Sequence, residues 1–295
     1  MKDLSERILW LVVGRGPRTV AAFDWIRGGV GSRQNPDGMR SLIHAGLAIA
    51  GVCLLIDGLI LWRHGWAHWT GFAFGHSAWI SAFIVASALN VGFLETVEGE
   101  RMKGLGGPNA LTLTRGLLLP SLIYLLALKD YGLAVAFYVL LSATDIADGW
   151  WARHGGLQSK LGVVLDPIVD LLFHLGVLFT LSLTGLLGPW VMGLILARSA
   201  LLVFGTAVLY FWKGRVRILP TPIGKGTGFL VCLATILLLG LMALDEDAGG
   251  LAILRACITL LLTVSLVHVL AMGIINLCRP PAPTRGEDRT GKGGW

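Results

Sequence analysis

The stretch Asp145 to Asp170 reads DIADGWWARHGGLQSKLGVVLDPIVD. It sets four aspartates, Asp145, Asp148, Asp166 and Asp170, in a chain that is otherwise strongly apolar. The first two stand three residues apart and the last two four apart, so on helices each pair projects from one face. Only Arg153 to Lys160 separates the two runs, which leaves room for a short turn. A short connection makes neighbouring helices antiparallel, and the two pairs are expected to face each other. Four carboxylates gathered in a low-dielectric setting do not stay ionised and unpaired. Divalent cations resolve that, and oxygen ligands with no Cys or His cluster nearby favour Mg2+ or Mn2+ over zinc. Gly149, Ala152 and Gly162 lie beside the aspartates or one turn away. Glycine costs a helix about 1 kcal/mol against alanine. Its use here points to something bulky approaching the backbone.

Outward from this block the composition is that of an all-α integral membrane protein. Of 295 residues, 55% are hydrophobic and 14% charged, against roughly 25% charged in soluble domains. Mean hydropathy is +0.72. The net charge of +6 suits an anionic lipid surface. Nucleic-acid binding is not expected, because no basic stripe sits on a soluble domain. Cys53, Cys232, Cys257 and Cys278 are scattered through apolar runs with no ligand spacing and read as small core residues. Apolar runs long enough to cross a bilayer fall near 42–62, 71–94, 106–128, 132–152, 161–186, 189–212, 226–244 and 250–277. Residues 1–40 read as an interfacial, basic segment without a signal-peptide cleavage site. Residues 279–295, rich in Pro, Gly and charge, read as a disordered tail.

With both termini on one side, that side carries 19 Lys and Arg in its loops and the other only Arg63 and Lys129, beside Asp245-Glu246-Asp247. The positive-inside bias makes the termini cytoplasmic and sets the aspartates toward the cytoplasmic ends of their helices.

The spacing D-x2-D-G-x2-A-R-x8-G-x3-D-x3-D resembles the CDP-alcohol phosphatidyltransferase family. Asp145, Asp148, Gly149, Ala152, Arg153, Gly162, Asp166 and Asp170 fill all eight fixed positions. The resemblance implies a six-helix core over about 105–278, preceded by two additional transmembrane helices within 41–104. It implies a membrane enzyme of phospholipid biosynthesis, in a bacterial or archaeal cell membrane. An alcohol hydroxyl would attack a CDP-linked lipid such as CDP-diacylglycerol and release CMP. It implies two Mg2+ or Mn2+ ions on Asp145, Asp148, Asp166 and Asp170, with Asp170 also taking the hydroxyl proton. Gly149, Ala152 and Gly162 would leave room for the cytidine nucleotide, with Arg153, Asn109, Thr112 and Asp148 beside it. A homodimer is also a family expectation.

Pro108, Asn109, Leu111, Thr112, Arg115 and Pro120 resemble the P-N-x-L-T-x-x-R opening of phosphatidylglycerophosphate synthase-like members. An arginine one turn inside a membrane helix needs a partner, either substrate phosphate or the aspartates. Arg198, Lys225 and Arg115 are candidates for an acceptor phosphate, Lys225 because it opens a helix N-terminus. Lys213, Arg215 and Arg217 form a basic loop nearby, which serves equally as a positive-inside anchor. Two departures leave the acceptor open: Ser199 stands where glycerophosphate-using members have Glu, and Leu171 where a Lys is usual. The expected acceptor is glycerol 3-phosphate or another phosphorylated alcohol, with inositol phosphate, serine or choline as alternatives. A membrane prenyltransferase is a rival reading, though its acidic motifs lie far apart in sequence. An ion transporter is another. Asp57, Glu95 and the histidines other than His174 show no partner in the sequence.

Overall fold

The computed structural model describes residues 35–65, 69–96, 100–154, 159–213, 221–244 and 248–278. Residues 1–34, the tail, the basic loop with Arg215 and Arg217, the acidic Asp245 to Asp247 loop, and the side chains of Ala152, Arg153 and Lys213 lie outside them, whereas residues 36–40, expected in the interfacial segment, belong to the first span. Among the described residues, eight helices are long and apolar enough to cross a membrane, the number the apolar runs predict, and the chain is an integral membrane protein. They are α1 (Pro36–His64), α2 (Trp69–Leu89), α3 (Gly107–Ala127), α4 (Tyr131–His154), α5 (Lys160–Leu183), α6 (Pro189–Lys213), α7 (Pro222–Ala243) and α8 (Ala248–Cys278). None of the four cysteines is in a disulfide.

Local chemistry sets the ends. Asn35, Ser159 and Thr221 accept from the backbone N–H three residues on, which satisfies an orphan donor at the starts of α1, α5 and α7. Pro36, Pro108 and Pro222 occupy the first turns of α1, α3 and α7, where a missing N–H costs nothing. The Asn35 cap starts α1 at Pro36, earlier than its apolar run begins. The second span is shorter than its apolar run, ending at Leu89 instead of 94. There Asn90 donates through Nδ2 to the Ala86 carbonyl, 2.8 Å, and a 3-10 turn over Val91–Phe93 follows.

The helix at the centre is α3. Of its spanning stretch 61% is buried, against 17–33% in the other seven, so α3 meets protein where the others meet lipid. It packs on α1, α2, α4 and α5, while α6, α7 and α8 close the far side against α4 and α5. The expectation that α4 and α5 face each other directly needs correcting. Among the described residues these two scarcely touch, and α3 lies between them. A short loop fixes an antiparallel direction but leaves a third helix free to wedge into the pair.

The segment after α2 is stitched to the starts of α1 and α5. Asn35 donates to the Met102 carbonyl at 3.0 Å, and Ser41 Oγ accepts from Leu105 N at 3.0 Å. Glu95 accepts from the Lys160 ammonium at 2.5 Å, and its carbonyl accepts from Lys160 N at 2.9 Å, at the start of α5. At the opposite end, Asp130 accepts from Arg63 and His64 at 2.9 Å each and from Leu133 N at 3.2 Å. That cluster ties the end of α1 to the start of α4.

Candidate active site

The aspartates arrive as their spacing predicts, one pair on α4 and one on α5, but the residues that gather them belong to α3. Thr112 and Arg115 are three apart and share a face of that helix. The Thr112 hydroxyl lies 2.7 Å from Asp166 Oδ1 and 3.1 Å from Asp148 Oδ2. Arg115 donates from one terminal nitrogen to Asp145 and from the other to Asp170, the latter at 2.8 Å. Asp148 Oδ2 is 3.7 Å from the same guanidinium. Every aspartate of the block therefore touches one of two α3 side chains.

The electrostatics follow from this placement. The Arg115 side chain is 2% exposed and that of Asp148 6%, whereas Asp145 and Asp170 are 49% and 47% exposed. One buried guanidinium thus neutralises part of a fourfold negative cluster with a wet edge. Truncating such a cation would strand carboxylates in a poor solvent for charge. Among the described residues, no three acidic or imidazole side chains close on one point as a ready-made metal cage. The donor chemistry nonetheless fits a hard divalent cation: four carboxylates, one hydroxyl, negative charge left over, and two carboxylates half open to solvent.

The small residues divide. Gly162 is buried, and a Cβ there would lie 2.6 Å from Asn109 Oδ1 and 3.2 Å from Ser159 Oγ. The close neighbour is thus a protein side chain. Asn109 itself is 3% exposed, donating to the Leu105 carbonyl at 2.5 Å and accepting from the Ser159 hydroxyl at 2.8 Å. Asn109 braces the start of α5, whose second turn carries Asp166. Gly149 is partly buried on α4. His174 bonds the Asp170 backbone carbonyl at 2.9 Å and not its carboxylate.

The basic candidates separate as well. Arg115 belongs to the aspartates. Arg198 and Lys225 line one cavity of about 590 Å3 between α6, the start of α7 and α8. Arg198 donates to Ser265 Oγ at 2.8 Å, and the Thr221 hydroxyl lies 2.7 Å from His268 Nε2. Around that polar end the wall is apolar, with Leu201, Phe204, Val208 and Ile274. Ser265 and His268 were missed in the sequence. Their signal is a pair three apart on one face of the last span, legible only once α8 is known to face Arg198.

A family model described as CDP-alcohol phosphatidyltransferase matches residues 106–273. A provisionally named cardiolipin synthase of Mycobacterium tuberculosis is 37% identical over 134 residues, 44% of this chain and 64% of that protein. The human cardiolipin synthase (CMP-forming) is 35% identical over 129 residues, 43% of this chain and 41% of that protein. A CDP-diacylglycerol–glycerol-3-phosphate 3-phosphatidyltransferase of Aquifex aeolicus is 29% identical over 129 residues, 43% of this chain and 71% of that protein. The chain thus spans a little under two thirds of the mycobacterial relative it matches. No solved structure matches significantly. With the motif complete and gathered round one helix, and more than half of its length matched by that model, the chain belongs to the CDP-alcohol phosphatidyltransferase family.

Proposed function

We propose that the protein transfers a phosphatidyl group from a CDP-linked lipid to the hydroxyl of an acceptor alcohol, releasing CMP. The observation that carries this reading is the convergence of Asp145, Asp148, Asp166 and Asp170 on Thr112 and Arg115. Mg2+ or Mn2+, two ions by the family pattern, would be held by the four aspartates. When bound they would neutralise the diphosphate and favour departure of CMP. Asp170, half exposed, holds the acceptor's proton as the hydroxyl oxygen bonds to phosphorus and the bond to CMP breaks. Thr112 orients Asp148 and Asp166, and Arg115 keeps Asp145 and Asp170 apart and aimed. Gly149, Ala152 and Arg153 along α4 border the nucleotide, and Asn109, packed on Gly162, holds the start of α5 beside it. The charge asymmetry between loops, 19 basic residues against two, supports a cytoplasmic site.

The acceptor in this proposal is a phosphorylated alcohol, its phosphate held by Arg198 and Lys225. The apolar wall of their cavity favours a phosphate carried on a lipid over a small soluble one. Relatives named for forming cardiolipin and CMP agree with a lipid acceptor.

The test uses purified protein in mixed micelles with CDP-diacylglycerol, Mg2+, and either glycerol 3-phosphate, phosphatidylglycerol, inositol phosphate, serine or choline, with CMP as readout. Acceptor-dependent CMP release, lost with EDTA and restored by Mg2+, is expected, and phosphatidylglycerol should be the best acceptor. Silence with every acceptor, alongside prenyl transfer or ion flux in proteoliposomes, would replace the reading. A clear preference for glycerol 3-phosphate would overturn the lipid acceptor alone.

A further inference from the structure

The helices that precede the matched region hold a buried polar lock, and the position of that lock is specific. Pro120 lies inside α3 and has no N–H, so the Gly116 carbonyl four residues back loses its intrahelical donor. In a bilayer that oxygen has no water to turn to. Trp79 of α2 donates its indole N–H to it at 2.9 Å. One residue further on, the Leu117 carbonyl is met by His76 Nε2 at 2.8 Å. His76 Nδ1 in turn lies 2.6 Å from Asp57 of α1, and the other oxygen of Asp57 accepts from the Ser121 hydroxyl of α3 at 2.9 Å. Asp57 is 3% and His76 2% exposed.

The face of α2 that makes these contacts is a stripe: Phe72, His76, Trp79 and Phe83, spaced four, three and four apart. Phe72 stacks on Tyr124 with centroids 4.0 Å apart. Phe83 lies so close to α3 that a Cβ on Gly116 would come within 2.5 Å of its ring. The carbonyls read by the stripe, at 116 and 117, directly follow Arg115 and sit one turn from Thr112. The connector after α2 holds the other half of the site, since Glu95 grips Lys160 and Thr96 pairs with Ser159 at the start of α5, six residues before Asp166.

We propose that the α1–α2 hairpin and its connector are a positioning clamp for the transfer site, in which Asp57, His76 and Trp79 fix the register and orientation of α3 around Pro120 and so set where Thr112 and Arg115 present the four aspartates. A buried acid–imidazole pair is poor glue, because apolar side chains of the same shape hold helices together as well or better. As a gauge it is good: it accepts one register and one orientation of α3, whereas a greasy face tolerates sliding. Asp57, His76 and Trp79 precede position 106, where the match to the family model begins, and their partners on α3 lie inside it.

The clamp rests on the proposed transfer activity for one of its two readouts, and the other is independent of it. The double variant Asp57→Leu/His76→Phe removes both members of the pair and leaves no lone charge buried, and Trp79→Phe deletes a single N–H while keeping a ring. Both should fold; the double variant should melt near the parent in detergent, while Trp79→Phe, which strands the Gly116 carbonyl, should melt a few degrees lower. Hydrogen exchange should rise in peptides covering 107–119 and stay unchanged in those covering α7 and α8. The kcat for CMP release should fall about tenfold, with both KM values within about twofold, as expected when reacting groups are displaced by a fraction of an ångström. Unchanged exchange in 107–119 in both variants would overturn the clamp. So would raised exchange with parental kcat, which would make the lock structural only. A parent protein that releases no CMP sinks the transfer reading instead, and the exchange measurement still decides whether the hairpin holds α3.

Discussion

Replacing Gly162 by alanine sets two effects of comparable size against each other. Gly162 lies in the first turn of α5, and inside a helix alanine is better than glycine by about 1 kcal/mol. Against that gain stands a Cβ 2.6 Å from Asn109 Oδ1 and 3.2 Å from Ser159 Oγ. A flexible neighbour would step aside, but Asn109 is buried and tied at both ends, to Leu105 and to Ser159. Overpacking a fixed site costs about 1–3 kcal/mol. The sum is a net loss of about 1 kcal/mol, or roughly 2–3 °C in melting temperature for a chain of this size. Asn109→Ala opens the space at the cost of two buried hydrogen bonds, so Gly162→Ala should destabilise less in the Asn109→Ala background than in the parent, a coupling that independent sites would not show. CMP release should be low in both variants, because Asn109 and Gly162 hold the start of α5 and with it Asp166. Thermal melts by intrinsic fluorescence in detergent decide the matter. If Gly162→Ala alone raises the melting temperature by the helix-propensity increment, the contact with Asn109 is not the reason for glycine there.

Three further outcomes are expected. Asp170→Asn should abolish acceptor-dependent CMP release while leaving CDP-lipid binding, measured by equilibrium dialysis, within about threefold; near-parental turnover would remove Asp170 from the role of base. Lys225→Gln and Arg198→Gln should each raise the KM for a phosphorylated acceptor by about tenfold with the KM for CDP-lipid unchanged, since each deletes a cation from the same cavity; equal changes in both KM values would detach the cavity from the acceptor. Asp130 supplies a pH signature outside the membrane. Burial alone would raise its carboxyl pKa, but the Leu133 N–H, His64 and Arg63 together hold it below the ordinary value. A depressed folded-state pKa means stabilisation that is complete above the unfolded-state value, about 4, and is lost as pH falls through the lower folded-state value. Asp130→Asn should therefore lower the melting temperature slightly at pH 7, by an amount worth about 0.5 kcal/mol given that Arg63 is 58% exposed, and the gap to the parent should close toward pH 3. A gap that persists undiminished at pH 3 would mean the loss is one of packing.

The number of spans was legible because lipid imposes a run of apolar residues on every crossing. The aspartates and their pairing on two helices were legible because helical periodicity puts residues three and four apart on one face. What periodicity cannot reveal is which helix a face meets. For that reason α3 was not foreseen between α4 and α5, and Arg115, for which substrate phosphate and the aspartates stood as equal partners, proved to lie among the aspartates. Asp57 and His76 looked partnerless for the same reason, their partners being on other helices. Yet part of that contact was written in α2: Phe72, His76, Trp79 and Phe83 form an aromatic stripe at helical spacing, opposite a helix with a proline in its interior. A proline that frees a carbonyl, together with an N–H-bearing stripe in the preceding span, is a signal to search for in other membrane chains. Gly162 shows the converse. Its glycine was read as room for a ligand, whereas the closest neighbour is Asn109.

If the site takes the proposed cations, Arg115 has a consequence for the chain when they are absent. It already spans Asp145 and Asp170 and lies near Asp148, so the pocket owns an internal counter-ion that never diffuses away. Chelation should then leave an idle protein rather than a burst one: mutual repulsion among the acids is bridled from within, and reloading asks only that a tethered side chain yield its seat.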